Sequence, residues 1–352
     1  MILPVTFKGF RPHIVHGNEL IVSKGNSVGI IDLEDSFDKV QLVGTYKGSL
    51  IEQLGAKFDL SKRALRIGFH DMVSFNGGLV GVQNKSIVWK AAESNKFIQV
   101  FSEFRGSRPL KLFKHPVDNT LYFGEYFGNP ERSEVYIYKS DNAIDWEVAW
   151  TFPAGSIRHV HGIHWDSYRN GIWVLTGDSD KESGLWFSDD NFNTLELITS
   201  GTQRARAVEI IPIKEGLLVP MDSPLQENFI NLFSLDSKSY TAVCSLPGSA
   251  FHAIYTNRLY LVSTVTEPSE VNKVDYASVW ASLDGVKWKE ITRFDRDWIP
   301  VKYQFIGRYA EVFFPSGEYT SNYIFAYAHA VKNASNCMLV WDKKEIVEYL
   351  KQ

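Results

Sequence analysis

Ser282-Leu283-Asp284-Gly285-Val286-Lys287-Trp288 decides the fold, because the chain repeats it in degenerate form. Copies stand at Ser140-Asp141-Asn142-Ala143-Ile144-Asp145-Trp146, at Ser188-Asp189-Asp190-Asn191-Phe192-Asn193-Thr194-Leu195 and at Ser234-Leu235-Asp236-Ser237-Lys238-Ser239-Tyr240. Their serines are 48, 46 and 48 residues apart, and weaker copies lie at 91–97 and 32–37. Short Ser and Asp side chains in such a stretch satisfy backbone N–H groups of a tight turn, and the aromatic residue packs between sheets. A fixed period of this size means one supersecondary unit, stacked or closed into a circle.

Working outward from the turns, short runs rich in Val, Ile, Tyr, Phe and Trp alternate with Gly, Asn, Asp and Ser, as at 121–126, 135–138 and 171–176. Each repeat reads as four strands, with first strands at 11–15, 66–70, 108–112, 158–163, 206–210, 250–254 and 303–307. The expected fold is all-β: a seven-bladed β-propeller of four-stranded antiparallel blades, six blades being the alternative. Residues 1–352 then form a single domain, with 4–8 supplying the outer strand of the last blade and closing the ring. One terminal helix is expected near 344–350.

Composition bounds the function. With 44% hydrophobic and 22% charged residues and no run of 18 apolar residues, the chain does not read as a membrane protein. A net charge of -4 gives no reason to expect nucleic acid. Cys244 and Cys337 cannot make a disulfide framework. Residues 1–8 lack the basic region and long apolar stretch of a signal peptide, so the default expectation is cytoplasmic.

The turn resembles the Asp-box, or BNR repeat, of sialidase-like propellers. Ser282, Asp284, Gly285 and Trp288 carry the likeness one residue short, and Ser188, Asp190 and Thr194 carry it at full length. The resemblance implies that the boxes are structural and lie on the face opposite the active site. It also implies an arginine triad and a nucleophilic tyrosine. Phe10-Arg11-Pro12 looks like a shortened form of that family's first arginine motif, and Arg308-Tyr309 lies where its third arginine and its tyrosine lie. An isoleucine of the motif is missing, and no clear acid/base aspartate follows Arg11.

Chain direction assigns the faces independently. If the box joins strands three and four, the opposite face carries the loops between blades and those joining strands two and three. Arg11, Arg66, Arg108, Arg158 and Arg206 recur at first strands, with Arg308 in the last repeat. Guanidinium forks at a channel mouth suit a carboxylated ligand, or else they pair with the acidic loops and tie blades together. The acidic candidates are Glu125, Asp178, Asp222 and Glu227. The most singular run is 158–165, where His159 and His161 fall on one side of a strand. Such a pair can act as a base, or bind a divalent metal with an acid such as Asp178 or Asp180. Packing imidazoles are the plain alternative. His252, His13 and His70 occupy similar first-strand positions.

These residues point to a glycan-active enzyme cleaving an acidic, sialic- or uronic-acid-containing, sugar linkage. Its partner would be an acidic oligo- or polysaccharide, with neither nucleic acid nor membrane. In the sialidase-like reading the chain is a glycoside hydrolase, which needs two carboxyl groups at the mouth. One alternative is a polysaccharide lyase on uronate glycans, with His161 or His159 as base and Tyr126 as acid; some such lyases are also propellers. Another is a non-catalytic propeller that binds glycan or protein. A divalent metal at the channel mouth is the one cofactor the residues accommodate.

Overall fold

A computed structural model describes residues 1–55, 67–299, 309–319 and 321–352. The chain is all-β: most of its sheets are four-stranded antiparallel meanders, and one larger sheet also contains parallel pairings. It divides into two compact units, one made of residues 1–69, 94–97 and 244–352, the other of 70–93 and 98–243.

In the first unit, Arg11–Gly17, Glu19–Lys24, Ser27–Asp32 and Gln41–Tyr46 form one meander, with Ser316–Tyr319 added in parallel beside Arg11–Gly17. Ala250–Thr256, Leu259–Thr264, Tyr276–Ser282 and Trp288–Asp295 form another. Glu311–Phe313, Tyr323–His329 and Cys337–Asp342 make a third, whose outer strand is Val5–Lys8, paired antiparallel to Cys337–Asp342. The pairing covers an edge that would otherwise present free backbone groups. A helix over Lys343–Lys351 starts on Asp342, whose carboxylate caps Lys344 N, and it buries Ile346 against the unit's apolar core.

The second unit holds the meanders Phe113–Lys114, Leu121–Gly124, Val135–Ser140, Glu147–Phe152; His159–Asp166, Gly171–Gly177, Gly184–Ser188, Glu196–Ser200; and Ile211–Ile213, Gly216–Pro220, Asn228–Ser234, Ser239–Leu246. Asp71–Phe75, Gly78–Gln83 and Ser86–Lys90 pair in the same way. Alternating apolar residues from adjacent sheets make the core: Phe75, Phe123 and Tyr138 in one layer, Tyr122, Ile137 and Ile172 in the next, Trp173, Leu217 and Phe233 in a third.

Three first strands begin later than the residue pattern predicts, at Asp71, Phe113 and Ile211. Before Phe113, Leu112 N is taken by Asp71 Oδ2 at 2.7 Å rather than by a ladder, and Pro109 has no N–H to give. Before Ile211, a short 3-10 turn at Gln203–Ala205 captures Arg206 N through Gln203 O at 3.0 Å. The strand predicted at 303–307 and Arg66 lie outside the described residues.

The recurring turns are held by the bonds their side chains suit. Asp284 Oδ1 accepts from Val286 N (2.9 Å) and Lys287 N (2.7 Å), and Ser282 Oγ accepts from Gly285 N at 2.9 Å. Asp190 accepts from Thr194 N and Oγ1, and Asn142 Oδ1 takes the same place for Ile144 N and Asp145 N. Burial works against the Asp284 charge, but these N–H groups outweigh it and hold its carboxyl below the usual range. Asp284→Ala is therefore expected to cost about 1 kcal/mol of stability, the net worth of solvent-accessible hydrogen bonds, read as a lower denaturant midpoint with no change in ligand binding.

A candidate His–His–Asp site in the second unit

Within the meander that starts at His159, the box turn and the histidines lie at opposite ends. His159 pairs with Gly177 and Thr176 with Gly184 at one end; Asp166 pairs with Gly171 and Ile172 with Ser188 at the other. The register slips between Val160 and Gly162, so His161 is the extra residue of a β-bulge. A bulge adds local twist and re-aims a side chain. The same slip leaves His13 unpaired between Pro12 and Ile14, and Phe251 between Ala250 and His252. It is therefore a feature of the repeat, and in this sheet it carries an imidazole.

Both imidazoles are buried, His159 to 4% and His161 to 2% exposure. His159 Nδ1 lies 2.8 Å from Phe127 O, and His161 Nδ1 lies 3.0 Å from Ala207 O. A carbonyl oxygen only accepts, so each Nδ1 carries its proton and donates it. Where no second proton is bound, the Nε2 atoms present lone pairs, and these face each other at 3.0 Å. Asp178 Oδ1 completes the triangle, 3.3 Å from His159 Nε2 and 3.1 Å from His161 Nε2. Three acceptors at this separation repel unless positive charge lies among them. Burial disfavours the Asp178 carboxylate, but the adjoining imidazoles of His159 and His161 outweigh it and hold its carboxyl well below the usual range. Burial lowers the His161 value, with the Asp178 bond opposing it.

Around the triangle, Arg158 Nη1 donates to Asp178 Oδ2 at 2.7 Å and its Nε to Gly128 O at 2.8 Å. Arg206 Nη1 donates to Asp178 O at 3.2 Å, its Nη2 lies 3.3 Å from Asp178 Oδ1, and its Nε lies 3.5 Å from Asp222 Oδ2. The Tyr126 ring stacks on His159 with centroids 4.3 Å apart. Gln203 Nε2 donates to Asp178 O and Asp180 Oδ1, fixing the loop behind the carboxylate. Arg158, Asp178 and Tyr126 keep part of their surface in solvent, which makes them the open side of the cluster.

The structure thus joins His159, His161, Asp178, Arg158, Arg206, Asp222 and Tyr126. Other candidates have contacts of their own. Glu125 is 1% exposed and is occupied by Arg105 through N, Nε and Nη2 and by Tyr136 N. Glu227 is exposed on its loop. Arg108 is bonded to His70 Nδ1. In the first unit, Arg11 lies over the rings of Phe313 (4.3 Å) and Tyr327 (5.3 Å), His252 stacks on Phe313 at 4.3 Å with Glu311 Oε2 3.7 Å from its Nε2, and Tyr309 packs edge-on against Phe251. Arg66 and Arg308 lie outside the described residues. A separate cleft of about 200 Å³ lies at the box end of the second unit, lined by His115, Asp118, Trp165, Asp189 and Asn191 among others.

Residue patterns did not reveal Gly177, the carbonyls of Phe127 and Ala207, or Gln203. A Cβ on Gly177 would lie 2.4 Å from His161 Cε1 and 2.8 Å from its Nε2, so only glycine leaves room for that ring. Its one sequence signal is a glycine directly before an acid at a strand end.

No protein-family model matches the chain, and no curated protein matches it. Among solved structures it is similar to a chain in the crystal structure of a nidogen/laminin complex, at 9% identity over 79% of this chain and 94% of that one, with a TM-score of 0.47. It is also similar to a chain in the crystal structure of the mitotic checkpoint complex, at 10% identity over 96% and 94% of the two chains, with a TM-score of 0.55. At this identity the second likeness speaks for the fold alone, and with the four-stranded antiparallel sheets it marks the chain as β-propeller-like.

Proposed function

We propose that the sheets are the blades of a seven-bladed propeller, and that the protein is an enzyme cleaving an acidic sugar linkage at the His159–His161–Asp178 cluster. The observation that carries the reading is the junction of two buried imidazoles, one ionised carboxylate, two arginines and a tyrosine at the loop end opposite the box turn.

The arrangement favours elimination beside a uronate carboxylate over hydrolysis. Hydrolysis needs two carboxyl groups free to flank the bond, whereas Glu125 is occupied by Arg105 and backbone N–H groups, and Asp178 is enclosed by histidines and arginines. Elimination needs positive charge against the substrate carboxylate, because negative charge grows there when the alpha proton leaves. Arg158 on the open side supplies it, and a cation held by His159, His161 and Asp178 would add to it. The buried imidazoles turn their lone pairs to Asp178 rather than outward, which leaves Tyr126 as the proton-transfer group. As the phenolate, its oxygen takes the alpha proton, the C–H electron pair forms the carbon–carbon double bond as the bond to the glycosidic oxygen breaks, and that oxygen departs with the proton returned from Tyr126 or with one from water.

The test incubates the protein with oligouronides and, separately, with sialosides. Ultraviolet absorbance of an unsaturated uronate is the expected result, and Tyr126→Phe should lower kcat by roughly 100-fold or more, the usual worth of a positioned acid/base. New reducing ends without unsaturation would restore the hydrolase reading. If neither product forms from any acidic glycan, the chain is better described as a binding propeller.

A further inference from the structure

We propose that His159 Nε2, His161 Nε2 and Asp178 Oδ1 are the protein ligands of one divalent first-row transition-metal ion. The inference deepens the proposed function by naming the cation of the same cluster, but it rests on ligand geometry and not on the reaction.

Four observations carry it. The three donor atoms are 3.0, 3.1 and 3.3 Å apart. Donors about 2.0–2.2 Å from a common centre, the usual metal–nitrogen and metal–oxygen lengths, are separated by about this much along the edges of a tetrahedron or octahedron. Both imidazoles give Nδ1–H to a backbone carbonyl, Phe127 O and Ala207 O, which fixes the tautomer that leaves Nε2 as a ligand. The carboxylate oxygen that is not a ligand is held by Arg158 Nη1 at 2.7 Å, the second-layer support that ligating carboxylates receive. Gly177 clears the space in which His161 must lie for its Nε2 to reach the centre. Among the described residues this is the single group of three His, Cys, Asp or Glu side chains whose donor atoms converge in this way.

Two imidazoles and one carboxylate on one side of an ion leave positions open on the other, the pattern of reactive rather than structural centres. Nitrogen-rich ligation selects Zn²⁺, Mn²⁺ or Fe²⁺ over Ca²⁺ and Mg²⁺. Arg206 Nη2, 3.3 Å from Asp178 Oδ1, shares that oxygen and adds positive charge beside the ion. That charge favours an anionic ligand, such as a carboxylate, at the open positions.

The experiment strips the purified full chain with a chelator and titrates it with Mn²⁺, Co²⁺ or Zn²⁺ alone. Elemental analysis should find about one ion per chain, and Co²⁺ should give visible ligand-field bands. His159→Ala and Asp178→Asn should each weaken binding by roughly 100-fold or more, beyond the cost of losing an outer-layer partner. Should these variants fail to fold, nitrogen-15 histidine resonances of the wild-type chain decide: Zn²⁺ should shift the Nε2 signals of two histidines. Absence of stoichiometric binding, unchanged affinity in folded variants, or unmoved Nε2 signals would overturn the metal site. Tyr126→Phe should retain the ion while losing turnover. Metal binding without turnover of any acidic glycan defeats the proposed reaction alone, and turnover without stoichiometric metal binding defeats the metal alone.

Discussion

Arg206→Ala is expected to destabilise the second unit by about 3–5 kcal/mol, the cost of breaking a buried ion pair from one side. The Arg206 side chain is 9% exposed and lies between Asp178 and Asp222, whose side chains are 23% and 5% exposed. Removing the guanidinium leaves Asp222 with its charge in a low-dielectric setting, and Asp178 O loses a donor at 3.2 Å. A fall in melting temperature on the order of 5–10 °C should accompany the loss. The double variant Arg206→Met with Asp222→Asn should recover much of it, because the penalty is an uncompensated charge and not lost volume. A loss under about 1 kcal/mol for Arg206→Ala would show that solvent already screens the pair, as for surface ion pairs.

Gly177→Ala should leave the fold intact and cripple the site. Gly177 is not among the glycines with positive φ, so φ does not exclude alanine, but space does. The new methyl would stand 2.4 Å from His161 Cε1, while Ala207 O holds the far side of the ring at 3.0 Å. The ring has to tilt, and its Nε2 leaves the triangle with His159 and Asp178. A displacement near 1 Å at a reacting centre costs roughly 100-fold in rate. The same loss should appear in turnover of oligouronides and in affinity for Mn²⁺, with the far-ultraviolet circular dichroism unchanged. Wild-type turnover and wild-type metal affinity in Gly177→Ala would mean that His161 takes part in neither.

Much of the site was legible before any coordinates because strand geometry is periodic. Alternation puts residues two apart on one side, so His159 and His161 had to point together unless the strand broke. Asp178 follows the next strand, at the end of the sheet where chain direction brings it back. Arg158 and Arg206 stand beside these two strands in the same unit, and they meet Asp178. Other candidates chosen by residue type have partners of their own. Glu125 satisfies Arg105 and a backbone N–H, and Arg11 is occupied by aromatic rings in the first unit. An ionisable residue on a loop-side position has many local partners, and its sequence position does not say which one it takes.

The sequence by itself determined the repeat, the four-stranded sheets and the role of the Ser–Asp turns, because those rest on local rules: side-chain alternation, turn capping and a period of about 48 residues. Its weakest readings were the strand starts at 108–112 and 206–210, where a side-chain acceptor or a turn captured the backbone before the ladder could. Tertiary structure alone decided how the residues of the cluster meet. The bulge at His161, the carbonyls of Phe127 and Ala207 that orient both imidazoles, and the missing Cβ of Gly177 come from segments distant in sequence. Repulsion among three lone pairs is a matter of tenths of an ångström, and only the packed chain sets distances that finely.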